Sequence, residues 1–411
     1  MDRAGLIFVG PPAAALRLMG DKIAARRAMA AAGVPVVPGF EGTGDEDAEA
    51  LRRAADAIGY PVLVKAAGGG GGRGMRVVRA PEELGGAVES ARRESLKAFN
   101  DARLFLETIV EDARHVEVQV LADAQGDCIH LFERECSIQR RFQKIIEESP
   151  SPLVDAKLRE ELGRAAVAAA RACGYVNAGT IEFLVGRDRG FYFLEMNTRI
   201  QVEHPVTEMV TGIDLVRAQI RIASGEPIPI RQEDVAQHGH AIECRVNAED
   251  PASGFTPSTG KILLASFPSG TGVRVDAGFA SGDAVSPHYD SLLAKIIVHA
   301  GDRLAALERM RQALGATAIL GVETNLSFLK AILAHPEFQR GEATTSFVET
   351  KFAGWAPQAS GPTEDALIAA ALADAMRLEA GRAAPPEGPR DEEADLFSPW
   401  GRLDGFRTGA A

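Results

Sequence analysis

Polar side chains occupy every second position between Glu195 and Glu203. They are Glu195, Asn197, Arg199, Gln201 and Glu203, and the positions between them are Met196, Thr198, Ile200 and Val202. Successive side chains of an extended chain point to opposite faces, so this period of two predicts a strand with one ionic and amide-rich face. A strand with one solvated face shows the same pattern. The bulky apolar run at 191–194 directly before it favours a strand that enters a core.

Short apolar runs between turn residues predict further strands in the first half of the chain. They lie at 5–10, 60–65, 75–79, 104–107, 116–121, 129–134 and 180–185. Spacing and capping residues predict helices from the Pro11–Pro12 turn through Met29, over 48–58, from Pro81, from Asp155 to about Cys173, and over 207–223. Because 5–10 has the composition of a buried strand, we expect a further segment to precede it.

From Gly239 onward the pattern changes to short strands and turns. Strands are predicted at 241–247, 260–265, 272–277 and 292–298, and one amphipathic helix follows Asp302 with Leu304, Leu307, Met310 and Leu314 on its inner face. These elements predict a separate α+β domain over 236–352. Residues 353–390 are rich in Ala, Pro and Gly, with a helix predicted at 363–378, and the tail 391–411 is acidic and then aromatic, as expected of a linker.

Composition and charge narrow the class of protein. The chain has 411 residues, 46% of them hydrophobic, with a net charge of -12. That length allows roughly two to four domains, and the negative charge argues against a protein that binds a nucleic-acid backbone. The four cysteines form no Cys-x-x-Cys pair, which favours reduced thiols in a cytoplasmic protein over a zinc site or disulfides. No apolar run reaches the length of a membrane span.

Five consecutive glycines at 68–72 join two predicted strands. No Gly-Lys-Ser/Thr follows them and no helix is predicted at their end, so they are not a Walker loop. Without side chains the backbone can approach a ligand closely, and its N–H groups can bind anionic oxygens. A phosphate-binding loop is therefore predicted, and a flexible linker is the alternative.

Two further groups of residues have the composition of ion-binding sites. Arg140, Arg141 and Lys144 concentrate positive charge within 137–144, which indicates either an anion site or a solvated loop. Glu182 lies in an apolar strand, where a carboxylate is costly to bury without a cation. Glu182, Glu195 and Asn197 together form an oxygen-only ligand set, which suits Mg²⁺ better than zinc.

With these residues in view, the sequence resembles the biotin carboxylases of the ATP-grasp superfamily from about residue 4 to residue 352. The resemblance is carried by Met19–Lys22, Lys65 with 68–75, Arg114–Gln119, Ser137–Glu148, Glu195–Thr207 and 238–250. It implies an α+β fold: an ATP-grasp lid at 37–109 and mixed-sheet catalytic core at 110–235, then a biotin carboxylase C-terminal α+β domain at 236–352. Residues 1–36 would be the remnant of an N-terminal Rossmann-like domain with its linker, and 353–411 a linker toward a biotin carrier region.

The resemblance also implies a reaction and its residues. ATP and bicarbonate would form carboxyphosphate, whose carboxyl group passes to N1′ of biotin. The implied ATP-binding residues are Lys22, Lys65, Gly70, Gly71, Gly72, Met75, Glu107, Val110, His115, Gln139 and Leu184. Glu182, Glu195 and Asn197 would hold Mg²⁺ or Mn²⁺, while Lys144, Arg199, Gln201 and Val202 would bind bicarbonate. The implied catalytic residues are Lys144, Arg199, Glu203 as general base and Arg245, which would also stabilise the biotin enolate.

Departures from the family pattern leave alternatives. Most of the family's N-terminal domain and its biotinylation motif are not in this sequence, and Phe142 replaces a histidine that is common in relatives. Residues 398–405 resemble the segment before the biotin carrier in acyl-CoA carboxylase α subunits, which implies a carrier protein, a carboxyltransferase subunit and a possible homodimer as partners, with no nucleic acid and no membrane. The alternatives are another ATP-grasp carboxylate ligase, or an inactive fragment.

Overall fold

The computed structural model describes residues 4–42, 48–67, 75–357 and 364–382. The helices are α1 Ala13–Gly20, α2 Lys22–Ala31, α3 Ala48–Ile58, α4 Leu84–Phe99, α5 Ala156–Ala172, α6 His204–Thr211, α7 Leu215–Ala223, α8 Arg303–Ala316, α9 Leu326–Ala334, α10 Pro336–Gln339, α11 Phe347–Lys351 and α12 Glu364–Arg382. The predicted glycine loop 68–72 and the tail 398–405 lie outside the described residues.

Eighteen strands accompany these helices within the described residues. In chain order they are β1 Gly39–Glu41, β2 Val62–Ala66, β3 Arg76–Val78, β4 Leu104–Thr108, β5 Arg114–Ala122, β6 Cys128–Arg140, β7 Gln143–Ser149, β8 Asn177–Val185, β9 Phe191–Asn197, β10 His240–Asn247, β11 Glu249–Asp250, β12 Thr256–Pro257, β13 Gly260–Lys261, β14 Leu264–Ser266, β15 Val273–Ala277, β16 Ala284–Val285, β17 Leu292–Ala300 and β18 Ala318–Leu320.

A small sheet and a large sheet organise residues 4–357. The small sheet has the order β1-β4-β2-β3, and its buried face packs against α3 and α4 through Leu51, Val62, Val88 and Leu104. The large sheet has the order β15-β17-β10-β7-β6-β5-β8-β9, with every neighbouring pair antiparallel. An isolated parallel bridge between Val36 and Phe193 makes the strand pairing mixed, that is, parallel as well as antiparallel.

The large sheet is continuous across the predicted boundary between the catalytic core and the C-terminal domain. Strand β10 pairs directly with β7, with Ala241 opposite Ser149 and Cys244 opposite Ile146. One apolar cluster packs α5 against β5 and β8, and another packs α8 and α9 against β10 and β17. One sheet therefore places side chains from both predicted domains on a common surface.

The predicted strand at 5–10 is wrong. The segment has no strand structure, and Leu6, Ile7 and Phe8 are 60%, 69% and 47% exposed. A strand needs backbone partners, and no strand of the described residues pairs with this segment. Its apolar composition therefore does not lead to burial within residues 4–357.

Two predicted helices are each divided in the structure. Asp21 ends α1 and caps α2, because its carboxylate accepts the N–H groups of Ile23 and Ala24. Gly212, with φ of 71°, ends α6 before α7 begins. In α8, Leu304 was predicted to be buried but is 73% exposed. The buried face of α8 consists of Ala306, Leu307, Met310, Ala313 and Leu314, and Leu304 lies outside it.

The alternating strand predicted for 195–203 is correct only as far as Asn197, where β9 ends. The chain then turns, and the N–H of His204 donates to the carbonyl of Gln201 at 3.3 Å as α6 begins. Gln201 is drawn inward because its Oε1 accepts from the Arg134 guanidinium at 2.8 Å. Gln201 and Glu203 therefore reach the site from a turn and not from a strand face.

Candidate active site

Two adjoining pockets contain the chemistry-bearing side chains. The inter-sheet pocket, of about 250 Å³, lies between the small and the large sheet. The ionic cleft, of about 890 Å³, lies over one face of the large sheet and the turn before α6. His115, Phe142, Glu182 and Glu195 line both, so the pockets are continuous.

The inter-sheet pocket combines an apolar wall with two lysines. Its apolar lining includes Val37, Leu63, Met75, Ile109, Val110, Leu184 and Leu194. Lys65 Nζ donates to Glu107 Oε2 at 2.7 Å, and an Arg26 guanidinium nitrogen donates to the other oxygen at 2.8 Å. Lys22 Nζ donates to Glu195 Oε2 at 3.2 Å. The pocket can therefore enclose a flat apolar group at one side and anionic oxygens at the other.

Strand register aligns four charged side chains across the large sheet. Arg134 on β6 is opposite Glu117 on β5, Glu117 is opposite Glu182 on β8, and Glu182 is opposite Glu195 on β9. We call these four residues the ionic row. Residues directly opposite in neighbouring strands have side chains within reach of one another. The row explains how three carboxylates from distant parts of the sequence come together.

Lys144, on β7, neutralises the acids of the cleft. Its Nζ lies 2.5 Å from a Glu117 oxygen and 2.7 Å from oxygens of both Glu182 and Glu203. Burial alone would raise the pKa of Glu117, but Lys144 and Arg134 outweigh it and lower that pKa to about 2. The same lysine lowers the pKa of Glu182 against the effect of burial. These acids are therefore ionised at neutral pH.

Arg134 is fully buried and organises the turn before α6. Its guanidinium donates to Glu117 at 2.6 Å, to Gln119 and Gln201 at 2.8 Å, and to Thr207 and Thr180 at 3.0 and 3.1 Å. A buried cation with all its donors satisfied fixes its partners in place. Sequence reasoning missed this residue, although its place on the predicted strand 129–134, beside one bearing Glu117 and Gln119, was the available signal.

The predicted metal ligands meet at the border of the two pockets. Glu182 Oε1 accepts from Asn197 Nδ2 at 2.8 Å and from Gln201 Nε2 at 2.9 Å, and Glu195 lies opposite Glu182. Two carboxylates and an amide form a hard oxygen donor set that fits Mg²⁺. Lys22 and Lys144 supply the positive charge beside these acids here.

His115 belongs to the same border. Its ring is buried and its Nε2 lies 3.1 Å from Glu182 Oε2. Burial lowers the pKa of His115, but the Glu182 carboxylate outweighs burial and the pKa is raised. His115 is therefore a close charge partner of one of the predicted ligand carboxylates.

Arg245 joins the C-terminal half of the sheet to the ionic cleft. Its guanidinium donates to Glu147 at 2.6 Å and to Glu203 Oε2 at 2.9 Å. Next to it on β17, Lys295 Nζ donates to the Val202 carbonyl at 2.7 Å. Burial raises the pKa of Glu203, as does Glu117, but Lys144, Arg245 and Arg134 together outweigh them and lower it. Glu203 is thus a carboxylate held between two cations.

Every predicted site residue that the structure describes lines one of the two pockets. Arg199 is exposed at the rim, where its guanidinium donates to the Ile200 carbonyl at 3.0 Å and to Asn197 at 3.3 Å. Gly70, Gly71 and Gly72 lie outside the described residues. Besides Arg134, the residues that sequence reasoning left without a role are Arg26, Glu117, Glu147 and Lys295. Each contacts a predicted residue that is distant in sequence, which no local pattern reveals.

Two family models match the chain. Residues 21–231 match the ATP-binding domain of the carbamoyl-phosphate synthase L chain. Residues 243–350 match the biotin carboxylase C-terminal domain. The two matches follow each other along the chain in the order that the sequence motifs predict.

Similar curated proteins include carboxylase subunits of different lengths. The α subunit of mitochondrial methylcrotonoyl-CoA carboxylase from Dictyostelium discoideum is 46% identical over 408 residues, which is 99% of this chain and 57% of that protein. A biotin carboxylase from Nostoc sp. is 52% identical over 344 residues, 84% of this chain and 77% of that protein. The chain thus spans about half the length of the methylcrotonoyl-CoA carboxylase subunits it matches.

Solved structures share the fold. The biotin carboxylase domain dimer of Hydrogenobacter thermophilus 2-oxoglutarate carboxylase, in complex with MgADP, ADP and bicarbonate, superposes with a TM-score of 0.82 at 47% identity, covering 86% of this chain and 78% of that one. A biotin carboxylase–β-γ-ATP complex from Campylobacter jejuni also gives 0.82, at 44% identity, covering 85% and 77%. The predicted α+β ATP-grasp fold with its C-terminal domain is confirmed, and the chain belongs to the biotin carboxylase family.

Proposed function

We propose that this chain carboxylates biotin with bicarbonate at the expense of ATP, as the first half-reaction of an acyl-CoA carboxylase. The observation that carries the proposal is the contact of Lys144 and Arg245 with opposite oxygens of Glu203, at 2.7 and 2.9 Å, beside a pocket suited to a nucleotide. A carboxylate between two cations can accept a proton from one substrate while the cations bind anions. The family membership of the chain supports the same reaction.

The inter-sheet pocket is the proposed ATP site. Its apolar wall, including Leu184, Met75 and Val110, would enclose adenine, while Lys22 and Lys65 would bind phosphate oxygens as point charges. Glu107, His115 and Gln139 line the same pocket, and Gly70, Gly71 and Gly72 complete the proposed set. Glu107 would position Lys65, because it already accepts that lysine's hydrogen bond at 2.7 Å.

The oxygen ligands Glu182, Glu195 and Asn197 would hold Mg²⁺ or Mn²⁺, which neutralises phosphate charge when bound. Lys144, Arg199, Gln201 and the Val202 backbone would bind bicarbonate in the ionic cleft that they line. Glu203 would remove the bicarbonate proton as general base. Arg245 would stabilise the negative charge of biotin once N1′ loses its proton.

The assay for this proposal is transfer of label from [¹⁴C]bicarbonate to free biotin by the purified chain. Label should appear in biotin only when ATP and Mg²⁺ are both present, and Arg245→Gln should abolish its transfer. ATP hydrolysis with bicarbonate that biotin does not increase, and that labels no biotin, would instead indicate another ATP-grasp carboxylate ligase.

The partners follow from the same reaction. We propose a biotin carrier protein or domain as the natural substrate and a carboxyltransferase subunit as the next enzyme, with a homodimer as the assembly. The domain bounds 37–109, 110–235 and 236–352 stay part of this proposal, as does a reducing compartment such as the cytoplasm, which four buried free cysteines suit. Among the described residues, no helix has the length and apolarity of a membrane span.

A further inference from the structure

Two buried carboxyl groups behind Arg245 have no role in the chemistry above. Glu243 on β10 and Glu147 on β7 are directly opposite each other in the sheet register, and both are 0% exposed. Among the described residues, neither oxygen of Glu243 has a hydrogen-bond partner, and neither does Oε2 of Glu147. Because an ionised carboxylate without donors is too costly to bury, at least one of these groups carries a proton.

The neighbours of Glu243 cannot neutralise a further negative charge. Ala241, Ile297, Val206 and Val210 form an apolar cluster around this part of the sheet and α6. Helix α6 also carries His204 and Glu208, and His204 Nε2 lies 3.8 Å from Glu208 Oε2. The same Glu208 oxygen accepts a hydrogen bond from the Arg274 guanidinium at 2.6 Å.

The other charged groups that act on Glu243 are Glu147, Glu203 and two cations. Lys295 donates to the Val202 carbonyl at 2.7 Å and lies 3.3 Å from Asp276. Arg245 donates to Glu147 and Glu203. Both cations therefore already have anionic or carbonyl partners other than Glu243.

We propose that Glu147 and Glu243 share one proton in the active enzyme and that this pair positions Arg245. The inference rests on the proposed function, in which Arg245 and Glu203 act together. With one proton on the pair, the Glu147 carboxylate forms an ion pair with the Arg245 guanidinium. The protonated carboxyl group of Glu243 then donates a hydrogen bond to the free Oε2 of Glu147. With a second proton, Glu147 becomes neutral and its ion pair with Arg245 is lost.

The second proton binds near neutral pH. Burial raises the pKa of Glu147 to about 7, against the opposing effect of Arg245. Burial beside Glu147 raises the pKa of Glu243 well above its usual value. Two such groups titrate as a pair, so one proton is retained above neutrality and two below it. The proposal therefore predicts an acid limb near pH 7 in kcat/KM for biotin, but not in KM for ATP.

Two substitutions of Glu243 separate the pair from simple packing. In Glu243→Gln the amide replaces the protonated carboxyl group as a neutral donor to Glu147, so the pKa of Glu147 and the acid limb should stay close to their wild-type positions. Glu243→Leu fills a similar volume without a donor, so the Glu147 carboxylate loses a hydrogen bond, its pKa rises and the acid limb should move up by about one pH unit or more. Equal shifts in both variants, no shift in either, or a uniform loss of rate at every pH would overturn the proposal.

An infrared pH titration of the ligand-free chain tests the pair without any turnover. The carbonyl stretch of a protonated carboxyl group should persist above neutral pH in the wild-type chain and should disappear in Glu243→Gln. If the band were unchanged in that variant, Glu243 would not carry the proton and the pair would be ruled out. If the wild-type chain labelled no biotin, the proposed function would fail while this titration still decided the state of the pair.

Discussion

At the scale of single residues, the two pockets differ in how their lysines are paired. Lys65 lies in the inter-sheet pocket and bonds to Glu107, whereas Lys144 lies in the ionic cleft and bonds to three glutamates. A lysine is a compact point charge that can exchange one anionic partner for another. Each lysine therefore has a carboxylate partner that a substrate anion can compete with or replace.

Substitution of Lys65 by alanine should weaken binding of Mg-ATP about tenfold or more, because charge-assisted hydrogen bonds are worth about 1.5–3 kcal/mol. Calorimetric titration measures the affinity, and the melting temperature shows whether the variant is folded. Lys97→Ala, which alters an exposed lysine on α4, is the matched control. Equal affinities in both variants would remove Lys65 from the nucleotide site.

At the scale of elements, Arg134 of the ionic row connects β5, β6 and β8 to the turn before α6 through its hydrogen bonds. Removal of one partner from a buried ion pair typically costs about 3–5 kcal/mol. Arg134→Met should therefore lower the free energy of unfolding, measured with urea, by about that amount. Arg164→Met, at an exposed position of α5, should change it by less than about 0.5 kcal/mol.

A double substitution sharpens this prediction. Glu117→Gln removes the negative charge that Arg134 leaves behind, so the two changes together should cost less than the sum of their separate effects. Additive costs would show that Arg134 stabilises the turn through its neutral partners alone.

The contact between β7, β10 and α8 predicts a pH dependence. Burial raises the pKa of Glu148, but hydrogen bonds from His240 and Arg303 outweigh it and lower that pKa to about 2, from 4.5. A depressed pKa stabilises the fold above the unfolded value, and this stabilisation is lost as pH falls through the folded one. The contribution of Glu148 should therefore be complete above about pH 5 and decline towards pH 2.

Glu148→Gln measures that contribution. At pH 7 the variant should be less stable to urea by on the order of 3 kcal/mol, because the pKa of Glu148 lies at about 2 in the folded chain and not at 4.5. The difference from the wild-type chain should shrink as the pH is lowered from 5 to 3. A difference that stays constant with pH would mean that Glu148 acts through packing and not through its charge.

Periodicity predicted most elements, and tertiary contacts decided the rest. The predicted helices at 48–58 and after Asp155 are α3 and α5, since the apolar spacing of both and the Asp155 cap of α5 are local signals. The alternation at 195–203 failed after Asn197, because the bond between Arg134 and Gln201 comes from residues distant in sequence. Local patterns also gave no reason to divide the helices at Asp21 and Gly212, where a side-chain cap and a positive φ end them.

The candidate site was predictable where motifs are contiguous. Glu182, Glu195 and Asn197 come together as expected, because neighbouring strands carry them in register. Glu147 and Glu243 were not recognised, since an acid inside an apolar strand gains its meaning only from the strand that pairs with it. Arg26 and Lys295 are similar cases, each acting through a partner more than ten residues away.

At the scale of the molecule, the proposed nucleotide site and the proposed bicarbonate and biotin site are formed by different parts of the two sheets. The small sheet and β9 enclose the inter-sheet pocket, while β7, β10 and the turn before α6 provide the ionic cleft. In the proposed function, Glu195 belongs to the metal ligands, and Glu203 acts with the residues that bind bicarbonate and biotin. Lys144 Nζ lies 2.7 Å from an oxygen of Glu182 and 2.7 Å from an oxygen of Glu203. Because one lysine contacts both groups, the separation of their proposed roles requires direct measurement.

The most direct test compares Glu203→Gln with Glu195→Gln, measuring both Mg-ATP affinity and the ATP turnover that depends on bicarbonate and biotin. Loss of a general base typically costs roughly 10²–10⁴ in rate. Glu203→Gln should therefore lose about that factor in turnover and keep its affinity for Mg-ATP, whereas Glu195→Gln should lose both. Full turnover in Glu203→Gln, or a loss of Mg-ATP affinity as large as that of Glu195→Gln, would contradict the assignment of the two pockets.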